Sequence, residues 1–506
     1  MTLTLSSFRF IIFFILVVVI YYTIDKRFQS VFLMLASFVF YLFGTPQYAV
    51  LLAATIGVNF YAGKLISRQE EGKGRKAVLT FFVVLNVIVL LGFKYYNFIG
   101  ETLAPAMAAI GLRFELARWI APLGISYYTL MSIDFLVSVY KRTLDMKEDV
   151  SGFVDYALYV SFFPQILAGP INRASRMLPQ FQQPHEFNYG KTVEGMQRFL
   201  IGALKKVVLA DGIAVITNRV FANMGQVEEG YTGFILIIAQ FLYVLRMFGD
   251  FSGYTDMAVG AAKILGIDIM ENFNAPYFSI SVNEFWRRWH ISLSSWLRDY
   301  IYIPLGGNRK GRLRKYFNSM VVYFVCGLWH EPSWNFAVWG VFQSVMVIIE
   351  DLTFFRKEKQ KLISERPSRG VRFFRWLYTM TFFYLTLLFV STENIRDVGY
   401  FFRNIFRIEP MSELINNLKD LSTNKISSDI PYLLLYWGGM LLAFLIIFWL
   451  ESRIYKSGSA EKIDNNPIAE LSLTGRWMLY FIAGLLVLFF YMIAGTNPAP
   501  PIYINM

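Results

Sequence analysis

Apolar runs close to the length of a bilayer crossing recur along the whole chain, and they limit its fold more than any other feature. A spanning helix needs about 20 mostly apolar residues, because the hydrocarbon core is about 30 Å thick. Candidate spans fall at 8–24, 28–45, 47–63, 77–98, 118–140, 153–168, 195–218, 231–248, 316–331, 333–353, 373–391, 431–450 and 476–495. Several are short or interrupted, so 11–13 membrane helices are expected, with some segments that do not cross fully. Hydrophobic residues fill 56% of the 506 positions and charged residues only 17%, against about 25% charged in a soluble domain. The expected fold class is an all-α polytopic membrane protein. The first run is followed by Asp25-Lys26-Arg27 and not by a small-residue cleavage site. It reads as a spanning helix, not a signal peptide.

The net charge of +12 is not a nucleic-acid signal, because the basic residues sit in loops between apolar runs, where anionic lipid is their expected contact. The loop from Lys64 to Lys76 is basic and is assigned to the cytoplasm. Counting back puts the N-terminus outside, with Lys26 and Arg27 inside. Counting forward puts Lys141, Arg142 and Lys147 inside. The cluster from Arg309 to Lys315 and the stretch from Arg356 to Arg375 follow the same rule. The hairpin 316–353 then rises from the cytoplasm and returns to it, 392–430 becomes an external loop, and Pro498 to Met506 an external tail. No long repeat or low-complexity linker interrupts the chain, which reads as one membrane domain over 1–506. With one cysteine, Cys326, and three histidines, neither a disulfide nor a metal centre is expected.

Polar character concentrates at 249–307, between spans. Irregular polar backbone at membrane depth is tolerated only where protein buries it or a wet cavity receives it, so short re-entrant or interfacial helices are expected there. The region contains Ser252, Tyr254, Asp256 and Asn274, then Glu284-Phe285-Trp286-Arg287-Arg288-Trp289-His290. Alternating Trp and Arg suit an interfacial helix, with rings at headgroup level and guanidinium groups on phosphates. His290 taken alone reads more often as a hydrogen-bonded structural histidine than as a site residue. A second segment, Phe162-Phe163-Pro164-Gln165-Ile166-Leu167-Ala168-Gly169-Pro170-Ile171-Asn172-Arg173, reads either as a helix end with a turn or as a re-entrant stretch shaping a substrate path.

His330 lies between two membrane-competent runs, in Gly327-Leu328-Trp329-His330-Glu331. An ionisable group at that depth is costly to hold and titrates near neutral pH. One reading is a cap in a connecting turn. The other is a general base in a water-poor pocket, where desolvation keeps the imidazole neutral and able to take a proton from a hydroxyl.

Taken in order, FFPQILAGPINR, GDFSGYTDMAVGAAKILGI, NFNAPYFSISVNEFWRRWHISLSSWLRDYIYIPLGGNRKG and GLWHEPSWNFAVWG resemble the membrane-bound O-acyltransferase (MBOAT) superfamily. Within it they are similar to the bacterial branch of alginate O-acetyltransferases and related polysaccharide acetylases. PLGISYYTL at 122–130, LLGFKYYNF at 90–98 and ENIRDVGYFFRNIF at 393–406 are similar too, so the resemblance spans roughly residues 30–410. Two places depart from the pattern: Asp134 stands where an uncharged residue is expected, and the tail APPIYINM matches only loosely.

The resemblance implies membrane helices ringed around a thin centre, with a cytoplasmic tunnel and an external funnel meeting near a histidine. Carried over by motif, that residue is His330, with His290 as the second. Candidates for the donor and substrate path are Trp286, Arg287, Arg288, Trp289, Asn274, Asp256, Trp329, Ser252 and Tyr254. The implied activity moves an acetyl group from a thioester, acetyl-CoA, towards an exported polysaccharide, with an extracytoplasmic transferase as partner and no permanently bound cofactor. The implied location is a bacterial cytoplasmic membrane. His330 would act as base or carry a transient acyl group, and His290 would meet the oxyanion or orient the acceptor. D-alanyl transfer from a carrier-protein thioester to teichoic acid is the enzymatic alternative. A transporter or channel is the non-enzymatic one, against which the single broken polar region and the lack of paired half-repeats count.

Overall fold

The computed structural model describes residues 3–117, 121–222, 224, 231–353, 368–408, 412, 430–456 and 467–494. Among them the chain is helical, and its one β pairing is an isolated antiparallel bridge between Phe273 and Trp289. Eight helices are long and apolar enough to cross a membrane, and Phe8–Thr23 and Ile125–Tyr140 are shorter apolar helices. The greater parts of the expected external loop at 392–430 and of the basic stretch Arg356 to Arg375, and the whole tail from Pro498, lie outside the described residues.

The chain divides into two compact units. The first comprises Met1–Phe199 and Tyr254–Met270, the second Leu200–Gly253 and Glu271–Ile502.

The first unit opens with α1 (Phe8–Thr23), α2 (Gln29–Gly44), α3 (Ala49–Ser67) and α4 (Lys73–Leu90). A π-turn at Leu91–Tyr95 joins α4 to α5 (Tyr96–Ala109), and α6 covers Ile125–Tyr140. Its centre is aromatic: the Phe10 ring lies 5.6 Å from Phe14, 6.0 Å from Phe40, 6.1 Å from Phe163 and 6.2 Å from Phe199. Asn59 on α3 and Asn86 on α4 exchange amide hydrogen bonds of 3.1 and 2.7 Å.

The expected span at 153–168 is replaced by a re-entrant element. Helix α7 (Val150–Ser161) has 12 residues and rises about 18 Å, too little to cross. Its chain then turns and comes back through α8 (Ala174–Phe181). Both ends of this element reach the same side, where α2 begins and α3 ends. Glu148, just before α7, accepts from Ser67 at 2.6 Å and Arg68 at 2.7 Å. After α8, the His185 amide donates to Gln29 at 2.9 Å. Side chains satisfy the turn: Asn172 donates to Gln165 at 2.7 Å, and Gln165 donates to the Tyr159 carbonyl at 2.7 Å. Asp134, the departure noted above, serves this turn. Its carboxylate accepts from the Ala174 amide at 2.7 Å and from Arg173 at 3.1 Å, which ties the start of α8 to α6.

The expected span at 195–218 lies in an uninterrupted helical stretch: α9 (Tyr189–Ala203), a π-helical segment at Leu204–Ala210, and α10 (Asp211–Ala222). Helix α11 (Gly233–Ile264) has 32 residues, so it runs well past the expected end at 248. The rest of the second unit is two short helices, α12 (Val282–Arg288) and α13 (Ile291–Leu297), the hairpin α14 (Gly311–His330) and α15 (Trp334–Leu352), then α16 (Arg369–Thr386), α17 (Leu388–Ser391), α18 (Ile395–Asn404), α19 (Ile430–Lys456) and α20 (Leu473–Ala494). The hairpin packs backbone on backbone. A Cβ at Gly327 would stand 2.1 Å from the Phe336 carbonyl oxygen, and one at Gly340 would stand 2.2 Å from that of Tyr323. Only glycine permits that approach.

Candidate active site

Helix α14 ends on His330, and the α14–α15 contact fixes its height. The Ser333 hydroxyl caps α15 by accepting from the Phe336 amide at 3.4 Å. His290 arrives on a different kind of support. The strand-like piece 272–274 lies along 288–291. The Asn274 amide donates to the Arg288 carbonyl at 3.0 Å, and the Ile291 amide donates to the Asn272 carbonyl at 3.0 Å. The Asn272 side chain accepts from the Ser292 hydroxyl at 2.6 Å and from its amide at 3.2 Å. These bonds hold His290 in the left-handed region, at φ 46° and ψ 53°. Such a conformation costs of order 1 kcal/mol or more in a non-glycine residue and persists only where its surroundings over-determine it.

The two imidazoles meet in a wholly buried aromatic setting, their ring centroids 5.9 Å apart. Trp329 packs against both, 5.9 Å from His290 and 5.1 Å from His330. Phe251 of α11 stands edge-on to His290 at 4.7 Å, and Trp339 of α15 edge-on to His330 at 5.7 Å. Burial, with a smaller contribution from His330, pushes the His290 imidazole well below its ordinary value, so it is neutral at pH 7.

Beside this pair the second unit holds a cleft of about 440 Å³. Arg287, Arg298 and Lys315 supply positive charge to its lining, and Trp286, Tyr323 and Cys326 an apolar wall. Lys315 is paired with Asp351 at 2.6 Å. Cys326 precedes His330 by one helical turn on α14. The Trp286 ring lies 5.8 Å from Trp339, so the tryptophans Trp286 and Trp339 form a continuous edge from cleft wall to His330.

The other expected site residues separate. Trp286, Trp289 and Trp296 are buried in protein, which replaces the interfacial-helix reading: the rings fill the interior of the unit. The Trp286 indole donates to Gln343 at 3.3 Å. Arg288 turns away from the cleft. It pairs with Glu284 at 2.9 Å, donates to the Asn274 carbonyl at 3.0 Å and lies 4.8 Å above the Tyr455 ring. Asn274 takes part through its backbone. Ser252 is buried on α11 in the same unit as the histidines. Tyr254 and Asp256 belong to the first unit, where Asp256 pairs with Arg198 at 2.8 Å.

Several supports were not foreseen. Glu350, near the end of α15, accepts from the Val282 amide at 2.7 Å and from the Asn283 amide at 3.1 Å, so it fixes the first turn of α12. Gln343, Asn272, Phe251 and Trp339 complete the frame. The available signal was a carboxylate and an amide inside the apolar run 333–353, which needed a partner that the sequence does not name.

Residues 64–392 match the MBOAT, membrane-bound O-acyltransferase family. The chain belongs to that family. This membrane-bound O-acyltransferase is 32% identical over 430 residues to the "Probable alginate O-acetylase AlgI" of Azotobacter vinelandii, covering 85% of this chain and 80% of the relative. It is 31% identical over 505 residues to the peptidoglycan O-acetyltransferase of Helicobacter pylori, covering 93% and 92%. The teichoic acid D-alanyltransferase of Bacillus subtilis is 30% identical over 251 residues, covering 48% and 61%. The protein is a multi-pass membrane acyltransferase related to alginate and peptidoglycan O-acetylases, so the transporter alternative falls away.

Proposed function

We propose that the protein takes an acetyl group from cytoplasmic acetyl-CoA and delivers it for O-acetylation of an exported polysaccharide, with an extracytoplasmic transferase as acceptor or partner, in a bacterial cytoplasmic membrane. The observation that carries this reading is the paired, tryptophan-enclosed histidines His290 and His330 one helical turn beyond a cleft with basic residues in its lining. Phosphates on the donor suit Arg287 and Arg298, and the apolar wall at Tyr323 and Cys326 suits a thioester arm. The alginate and peptidoglycan relatives support acetyl transfer to a polymer.

In this reading the acceptor oxygen attacks the thioester carbonyl carbon while His330 takes its proton. The carbon–sulfur bond breaks, and the proton passes to the departing thiolate. His290 faces the oxyanion that develops on the carbonyl oxygen. A donor placed for that role supplies about 3 kcal/mol of transition-state stabilisation. The enclosing tryptophans keep water from intercepting the acyl group.

The test is reconstitution of the full chain in liposomes with labelled acetyl-CoA, measuring loss of the thioester, together with mass spectrometry of surface polysaccharide from cells with and without the protein. The expected result is thioester turnover by the unaltered protein and not by His330→Gln, and loss of acetyl from the polymer in cells. Turnover of a D-alanyl carrier-protein thioester in place of acetyl-CoA would overturn the donor assignment.

A further inference from the structure

The second unit contains five buried charges that the chemistry above does not use, and they converge on the wall behind His290. The π-helical segment Leu204–Ala210 is wholly buried and presents two consecutive lysines. Lys206 lies 2.6 Å from Asp250 and 2.7 Å from Asp211. Lys205 lies 2.7 Å from Glu451 of α19, and its ammonium sits 5.1 Å over the Phe248 ring. The widened turn brings both side chains onto α11, and the two backbones touch: a Cβ at Gly249 would stand 2.9 Å from the Lys205 carbonyl oxygen, and one at Gly253 2.8 Å from the Lys206 amide nitrogen.

Between those glycines α11 carries Asp250 and, next to it, Phe251. Phe251 is the ring 4.7 Å from His290, and it also meets Phe273 at 5.0 Å. Phe248 meets Phe273 at 5.9 Å and Trp289 at 6.4 Å. Phe273 and Trp289 are the bridge partners that flank the left-handed turn. The charges therefore grip the same turn of α11 whose rings support the His290 loop.

We infer that Lys206 with Asp250 and Asp211, and Lys205 with Glu451, are positioning residues for acyl transfer: they set the azimuth and height of Phe248 and Phe251, and through them the His290 ring. Apolar side chains of similar volume would fill that interior at no greater cost, because burying an ion pair gains little stability over well-packed hydrophobes. A pair at hydrogen-bonding distance does fix one register of a helix that apolar packing alone leaves free to slide. The inference rests on His290 being part of the acyl-transfer site.

The test uses the full chain in liposomes with acetyl-CoA as donor. Activity is expressed per folded molecule, with folded protein counted by monodisperse elution and thermal melting. Lys206→Met and Glu451→Gln are expected to lower kcat about a hundredfold, the scale of a 1 Å misplacement, with the donor KM unchanged. Lys206→Arg is expected to restore kcat, and the exchanged pair Lys205→Glu with Glu451→Lys is expected to recover what either change alone removes. Asp250→Asn, which keeps the shape and removes the charge, gives the same readout if Lys206→Met does not fold. Unchanged kcat per folded molecule, a loss confined to KM, or an exchanged pair that folds without recovering kcat would each overturn the inference. His290→Ala run in parallel separates the two ideas: if it retains full kcat, the site assignment fails, and if it loses kcat while the lysine variants do not, only the positioning role fails.

Discussion

Glu350 and Val282 are joined across 68 residues of sequence by a 2.7 Å hydrogen bond from the Val282 amide to a buried carboxylate oxygen. With the second bond to Asn283, this makes the end of α15 the anchor of α12, and α12 carries Trp286 and Arg287. Hydrogen bonds to a buried charged group contribute about 1.5–3 kcal/mol each. Glu350→Ala is expected to lower the melting temperature clearly, and Glu350→Gln less, because one amide oxygen still accepts. Thermal melts of the three purified proteins check the order.

His330→Ala and His330→Gln are expected to cost at least about 10²–10⁴-fold in acyl transfer at normal protein level, the usual worth of a positioned base. His290→Ala should cost about 10²–10³-fold. Rates of thioester consumption measured at saturating donor give both numbers, and full activity in either His330 variant would remove it from the chemistry.

The two glycines of the α14–α15 hairpin make a packing prediction. Gly327→Ala or Gly340→Ala puts a methyl group against a backbone carbonyl that cannot rotate away. Overpacking of this kind costs about 1–3 kcal/mol. A folded variant would hold His330 displaced from its tryptophan frame, so activity should fall further than melting temperature. The comparison of the two readouts on one sample is the check.

Arg287 and Arg298 should behave differently from the histidines. Replacing either with Ala is expected to raise donor KM, leave kcat nearly unchanged, and weaken the dependence of KM on salt, as loss of an interaction made equally in ground and transition states does. Steady-state kinetics at two ionic strengths measures this.

His290 also predicts an acid limit. Its imidazole is held neutral in the folded protein by burial, whereas in the unfolded chain it binds a proton below about pH 6.5. The unfolded state therefore gains protons that the folded state refuses, and stability falls as pH drops through that value, by about 1.4 kcal/mol per pH unit. Above it the term vanishes. His290→Gln should flatten this part of the pH–stability curve, read from denaturant midpoints between pH 7 and pH 5 in detergent.

Helix placement was largely legible, since apolar length alone marks α2, α3, α15 and α20. His330 stands out in the sequence because a titratable side chain is rare in such apolar runs, whereas His290 lies in a polar stretch and becomes a candidate only through the motif around it. The re-entrant element at 149–185 was half legible: Pro164, Gly169 and Pro170 allow a re-entrant stretch at 162–173, but the apolar run 153–168 also reads as a crossing, and nothing local names the Asp134 anchor that ties down the start of α8. Lys205 and Glu451 were invisible as a pair: they stand 246 residues apart, and each by itself looks like a loop charge misplaced. Asp134 looked like an irregularity and is a helix anchor, because what decides a buried carboxylate is the amide it meets, and that amide lies 40 residues on.

The left-handed backbone at His290 sets two demands against each other. Glycine would relieve the turn, worth about 1 kcal/mol, but it would also empty the space that the imidazole fills between Phe251, Trp329 and His330, and a void of that kind in a packed interior costs about 2–5 kcal/mol. The backbone at position 290 asks for one residue and the surrounding rings for another, and the rings prevail.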